Sequence, residues 1–291
     1  MGIKSVLKKI PGIKQYNEKF ESLYIRLNNI ENAVKSVESL QRRTYMDIMQ
    51  KVFEHGGYFY DYMKAVKNAT KVYGADVNFI RTGRENDGGY VMADCFEGVK
   101  TAYSLGICDD VSWDKDMAKL NIGVFMYDHT IAKLPEENPH FHFFKCGIGG
   151  KSEGVFKTLD DLISENGHEN DSNMILKMDI EGSEWDVIEK TEALPKFSQI
   201  AIELHNLCRS ADERIVRCLE KLAETHVPVH IHANNCSDVC FFGDAMLPDA
   251  LEITYLRRSD FEFSENTRFF PTPLDMKNDA SKPEIILGKW N

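Results

Sequence analysis

The chain has 291 residues, room for one large domain or for one domain with an extension. Its 43% hydrophobic content supports a sizeable core and argues against wholesale disorder. With 35 Lys and Arg against 46 Asp and Glu, the net charge of −11 speaks against a general nucleic-acid binder, while leaving a phosphorylated small substrate open.

No apolar run approaches the roughly 20 residues a membrane-spanning helix needs. The Lys-rich opening reaches Pro11 without the apolar stretch of a secretory signal. Seven scattered cysteines, an odd number lying mostly in apolar segments, read as buried thiols of a reducing cytoplasm. Cys236 and Cys240 near His230 and His232 lack the two ligand pairs of a structural zinc site.

Residues 1–14 carry Lys4, Lys8, Lys9 and Lys14 with no acid, and Ile3, Val6, Leu7, Ile10 and Ile13 fall between them at helical spacing. Such a basic amphipathic leader suits either peripheral contact with an anionic membrane or a solubilised lead into the next helix. Met1-Gly2 begins a myristoylation pattern, but Val6 stands where that pattern needs Ser or Thr.

Over 15–55, Tyr16, Phe20, Leu23, Leu27, Ile30, Val34, Val37, Gln41, Thr44 and Ile48 recur with alternating gaps of four and three. That heptad favours a coiled-coil homo-oligomer over a helix packed on its own domain, whose stripe would be wider and drift towards 3.6. Gln41 and Thr44 are polar at seam positions and weaken it there. Gly56-Gly57 breaks the pattern, and 56–76 reads as a linking helix.

From 77 to 291 the period changes to alternating strands and helices. Strands are expected at 101–106, 123–128, 140–146, 173–179, 199–205, 228–233 and 250–257. Helices fall near 112–120, 158–165, 184–191 and 210–225. This alternation implies an α/β fold with a mostly parallel sheet covered on both faces.

In such a sheet ligands sit at the carboxyl ends of the strands. The run Ile175-Leu-Lys-Met-Asp-Ile-Glu-Gly-Ser-Glu-Trp185 delivers Asp179 and Glu181 to that edge. Gly106 ends the first strand, where a glycine lets the backbone approach a ligand. It does not belong to the G-x-G-x-x-G fingerprint of dinucleotide binders. Asp110 and Ser112 follow it, with Ser112 equally suited to capping the next helix or to touching a cofactor.

Asp128 closes the second strand, placed to accept hydrogen bonds from ribose hydroxyls. Asp87, between Asn86 and Gly88-Gly89, sits in a turn that either closes over a cofactor or is an ordinary hairpin. Glu203 and His205 share a strand face. With Asp179 they can bind a divalent cation such as Mg²⁺ or Mn²⁺. Alternatively His205 serves as a general base, or is simply satisfied by a neighbouring carboxylate. His232, Asn234 and Asn235 end the sixth strand and suit acceptor hydroxyls, since Asn both donates and accepts.

Taken in order, Arg81-Thr-Gly-Arg-Glu-Asn-Asp-Gly-Gly-Tyr-Val-Met92, Tyr103 to Met117, Tyr127-Asp-His-Thr130, Lys177 to Trp185, Ile202-Glu-Leu-His205, His230 to Asn235 and Leu251 to Tyr255 resemble the FkbM-like family of S-adenosylmethionine-dependent methyltransferases. The resemblance runs from about Asn78 to Arg258. It implies a Rossmann-like, seven-stranded methyltransferase sheet with the last strand antiparallel, S-adenosylmethionine as cofactor, and adenine contacts at Cys146-Gly147-Ile148-Gly149. It also implies transfer to the hydroxyl of a sugar, nucleotide sugar or surface-glycan precursor.

The alternative is a coiled-coil scaffold with an inactive methyltransferase-like domain, against which the retained Asp179, Glu203 and His205 argue. An NAD-dependent oxidoreductase lacks its glycine fingerprint. A nucleic-acid methyltransferase is opposed by the acidic charge and by the lack of a basic, aromatic-interleaved patch.

The heptad makes its own prediction. Deleting residues 1–55 should lower the mass seen by light scattering and leave a folded domain. An unchanged mass would mean that this helix packs on its own domain.

Overall fold

In a computed structural model of the chain, residues 23, 26, 27, 29, 30, 34–37, 57–209 and 211–291 are described. The chain divides into two compact units, Met1–Gly57 and Tyr58–Asn291. Of the first, the described residues are helical, and Leu23, Leu27, Ile30, Val34 and Val37 are between 50% and 65% exposed. The leader over 1–14 and the rest of the expected coiled coil lie outside the described residues. None of the described helices is long and apolar enough to cross a membrane.

The second unit opens with a helix, α1 (residues 58–69), whose Tyr62, Met63 and Val66 are buried in the main core. It therefore packs as part of this unit, not as a link to it. Three short strands follow, β1 (Tyr73–Ala75), β2 (Phe79–Thr82) and β3 (Tyr90–Ala93). Next come β4 (Thr101–Leu105), α2 (Ser112–Lys119), β5 (Gly123–Tyr127), β6 (Phe141–Phe144), β7 (Gly147–Ile148) and β8 (Phe156–Lys157). The middle holds α3 (Leu159–Glu165), β9 (Met174–Met178), α4 (Glu184–Lys190), β10 (Phe197–Leu204) and α5 (Glu213–Thr225). The chain ends with β11 (His226–Ala233), β12 (Val239–Phe242), β13 (Ala245–Pro248), β14 (Leu251–Arg257) and β15 (Phe263–Glu265).

Seven of these strands form one sheet in the order β11-β14-β10-β9-β4-β5-β6. β4 pairs in parallel with β5 and β9, and β9 with β10, whereas β14 runs antiparallel to both β10 and β11. This is an α/β Rossmann-like fold, and the expected strand positions agree with it to within about three residues. β4, β9 and β10 are buried along their whole length, as strands covered on both faces must be, while the edge strand β6 alternates.

Successive residues serve opposite faces. Tyr103 and Leu105 of β4 join the core under α1, α3, α4 and α5, and Ala102 joins the core under α2 and β3. β4 stops at Leu105 because Gly106 turns away at φ +83°, a conformation that favours glycine.

The expectation of buried thiols needs correcting. All seven cysteines are free, but only Cys208 and Cys218 are buried; Cys95, Cys146 and Cys240 are half-buried, and Cys108 and Cys236 are exposed in turns beyond strand ends. The hairpin β12–β13 and the small pairs β1–β15 and β7–β8 were also not anticipated; each is only two to four residues per strand, too short for a period to register.

Candidate functional site

A cavity of about 400 Å³ opens where β4, β5 and β9 end, lined by Gly106, Asp128 and Asp179 from those three ends. This is the edge at which open α/β sheets hold ligands. One wall is apolar, with Tyr127, Ile148 and Phe156 around Cys146 and Gly147. The lining is otherwise rich in acid, with Asp87, Asp110, Asp114 and Glu181.

Asp128 is 7% exposed. Its Oδ2 accepts hydrogen bonds from the backbone N–H of Ile107 at 2.9 Å and of Cys108 at 2.8 Å. Its Oδ1 accepts from the Thr130 N–H at 2.7 Å and the Thr130 hydroxyl at 2.6 Å. Burial opposes ionisation, but the Thr130 hydroxyl and these N–H groups outweigh it and hold the carboxyl at about 2. Roughly four lone-pair sites on a carboxylate are thus filled. A ribose hydroxyl can reach Asp128 only by replacing the Thr130 hydroxyl, the one donor of the four able to rotate away.

Asp110 and Ser112 tie the glycine-rich turn to the cavity. Ser112 is the first residue of α2 and not its N-cap, which is Val111. Its hydroxyl donates to Asp110 Oδ2 at 2.7 Å and accepts from the Arg84 N–H at 2.7 Å. The turn is that of the β2–β3 hairpin, and it also supplies Arg84, Asp87 and Gly88 to the cavity lining. The turn is a hairpin that also borders the cavity, and Ser112 positions it without lining the cavity.

Asp179, Glu203 and His205 come together with one ligand atom of each within 4.8 Å of the others. His205 Nδ1 lies 3.1 Å from Glu184 Oε1, and its Nε2 lies 3.5 Å from Glu203 and 3.6 Å from Glu181. Burial pushes the His205 imidazolium down, yet the Glu184 hydrogen bond and the Glu203 charge carry it up to about 9. The Tyr90 hydroxyl donates to Asp179 Oδ2 at 3.1 Å. Burial raises the Asp179 carboxyl against the pull of Lys177 and His205, and burial with Asp179 and Glu252 nearby raises Glu203 well above the usual range.

This oxygen and imidazole set suits Mg²⁺ or Mn²⁺. Carboxylates crowded without enough positive charge are what a cation would relieve, and Glu184 on Nδ1 leaves Nε2 facing the carboxylates. A second acidic trio, Asp87, Glu203 and Glu252, shares Glu203. Its Glu252 is already committed to His232 at 2.9 Å and to the Asn278 amide at 2.6 Å, so the first trio is the better fit.

His232, Asn234 and Asn235 require different roles from the acceptor contacts expected of them. His232 is 2% exposed and held between Glu252 and Glu284, because β14 separates β11 from the strands that end at the cavity. Asn235 exchanges hydrogen bonds with the Asp279 backbone, pinning the C-terminal segment. Asn234 donates to Glu203 Oε1 at 2.7 Å and so orients that carboxylate.

Sequence reasoning missed Glu184, Tyr90, Lys177, Asp114 and Glu252. Glu252 lies directly across from Glu203 in the β10–β14 register, a pairing that strand alternation signals only once the strand order is known. Glu184 and Tyr90 carry no local pattern that marks them.

The class these features define is a Rossmann-like α/β protein with an acid-lined ligand cavity at its strand ends. A scan against protein-family models and a search of curated proteins found nothing that matches the chain.

Asp128 makes a stability prediction. Its carboxyl falls from 3.8 to about 2 on folding, so the stabilisation is present above pH 3.8 and lost as pH falls through 2. Asp128→Asn should cost about 2 kcal/mol at pH 7 in urea unfolding, at 1.36 kcal/mol per pKa unit. The difference from the unsubstituted protein should shrink below about pH 4 and close near pH 2.

Proposed function

We propose that the chain is an S-adenosylmethionine-dependent O-methyltransferase acting on a sugar hydroxyl of a nucleotide sugar or surface-glycan precursor. The observation that carries this reading is a single cavity with two halves. The Gly106 turn, Asp128 and an apolar slot fill one half, and Asp179 with Glu181 edges the other beside Glu203 and His205. The sheet order, with one antiparallel strand inserted beside β10, agrees with the sheet implied by the family resemblance. The choice of acceptor rests on that resemblance alone.

In this reading Tyr127, Ile148 and Phe156 flank the adenine, Gly147 lets the ring approach, and Asp128 with Thr130 holds the ribose. S-adenosylmethionine supplies an already activated methyl group, so the protein's tasks are alignment and removal of the acceptor proton. The carboxylates around His205 carry it up to about 9, so its Nε2 has to give up a proton before it can serve as a base or as a metal ligand. Asp179, Glu203 and His205 would together hold a divalent cation, whose charge would favour that loss and would supply a lowered pKa to a bound hydroxyl. Glu184 keeps His205 oriented, and Asn234 keeps Glu203 oriented. Glu181, whose side chain is 87% exposed, stands at the mouth where the acceptor enters.

Calorimetry tests the cofactor half: S-adenosylhomocysteine should bind, and Asp128→Ala should weaken it at least tenfold, about 1.4 kcal/mol. Tight NADH binding with none for S-adenosylhomocysteine would move the protein to another class. EDTA should abolish methyl transfer, Mg²⁺ or Mn²⁺ should restore it, and Asp179→Ala should lower kcat with little change in cofactor affinity. If EDTA does nothing while His205→Ala costs roughly 10²–10⁴ in rate, His205 is the base without a metal.

A further inference from the structure

Lys177 lines the cavity and is only 6% exposed. Its Nζ donates to the Gly106 carbonyl oxygen at 2.7 Å and lies 5.8 Å from the centre of the Tyr90 ring. Among the described residues no carboxylate lies within 4.0 Å of it. A buried ammonium is costly unless it is paired. The other permanently charged cation of the lining, Arg84, is exposed and lies 3.5 Å from Asp110.

The same cavity holds a complementary defect. Ser104 is the direct partner of Lys177 in the β4–β9 register. Asp114, in the first turn of α2, lines the same cavity at 1% exposure, and its Oδ1 has no hydrogen-bond partner. Burial pushes the Asp114 carboxyl up to about 6 against the pull of Lys177. Neither group makes an ion pair within 4.0 Å among the described residues, although they attract each other at longer range, and both line the cavity.

We propose that Lys177 and Asp114 form a subsite for a zwitterionic α-amino-acid group, Lys177 taking the carboxylate and Asp114 the ammonium. This rests on the cofactor reading above and assigns the end of the cofactor that carries both charges. A pyrophosphate would not suit the same place. Its negative charges would meet Asp110, Asp114 and Asp179 with a single buried cation to answer them.

The test is calorimetry on the full chain with S-adenosylhomocysteine, its decarboxylated analogue and 5′-methylthioadenosine, which lacks the amino-acid end. The unsubstituted protein should prefer S-adenosylhomocysteine to the decarboxylated analogue at least tenfold. Lys177→Met should erase that preference and leave 5′-methylthioadenosine binding unchanged. Asp114→Asn should weaken S-adenosylhomocysteine at least tenfold, again sparing 5′-methylthioadenosine.

Equal losses for all three ligands in Lys177→Met would mean that Lys177 only props the Gly106 turn, and would overturn the assignment. If that variant fails to fold, the unsubstituted protein still decides, since equal affinity for S-adenosylhomocysteine and its decarboxylated analogue overturns the assignment alone. Binding of 5′-methylthioadenosine with no gain from the amino-acid end would sink the subsite and spare the nucleoside pocket. Binding of none of the three would sink the cofactor reading and the subsite together.

Discussion

Gly106 and Asp179 leave adjacent parallel strands so close together that a Cβ at position 106 would lie 1.7 Å from the Asp179 carbonyl oxygen. Only a glycine permits that approach, and it does so in a left-handed conformation that other residues resist. The crossing is then tied in three directions. The Gly106 N–H donates to Tyr127 O at 3.0 Å, the Asp179 N–H to Leu105 O at 2.9 Å, and Lys177 to Gly106 O at 2.7 Å. The floor of the cavity is therefore backbone, and the acids around it hang from a rigid frame.

On that frame, like residues acquire opposite properties. Asp128 and Asp179 both end central strands, but Asp128 receives four donated hydrogen bonds, whereas the Tyr90 hydroxyl is the one donor found on Asp179 among the described residues. The first carboxyl is held near 2 and stays ionised; the second is raised by burial. Four donors keep one carboxylate ionised and bracing the loop, while burial with a single donor raises the other. Lys177 and Asp114 extend the same logic, each buried and without a close ion pair among the described residues.

The central strands were legible because β4, β9 and β10 are buried on both faces and so read as mostly apolar segments bounded by polar turns, with only single polar residues such as Ser104 and Lys177 or the Ser198-Gln199 pair inside them. The acids at their ends were legible for the same reason, since each interrupts such a run at its carboxyl end. His232 and Asn235 misled because their position at a strand end was right, but other residues already occupy their polar groups there. β11 lies at the edge, beyond β14, and its polar groups face the C-terminal segment instead of the cavity. Glu184 was invisible as a partner because it belongs to a helix whose rotation about its axis brings it under His205.

By itself the sequence determined the alternation of strands and helices, the positive-φ glycine at the end of the first central strand, and the set of acids at the strand ends, since all of these follow from local hydrophobic period and backbone sterics. The insertion of β14 between β10 and β11 is decided only by tertiary structure, as are the pairing of Glu184 with His205, the capture of His232 by Glu252 and Glu284, and the lack of a close ion pair for Lys177 among the described residues. Each of these depends on distances between residues 20 or more positions apart in the chain, or on a charge failing to find a partner, and neither leaves a mark on local sequence.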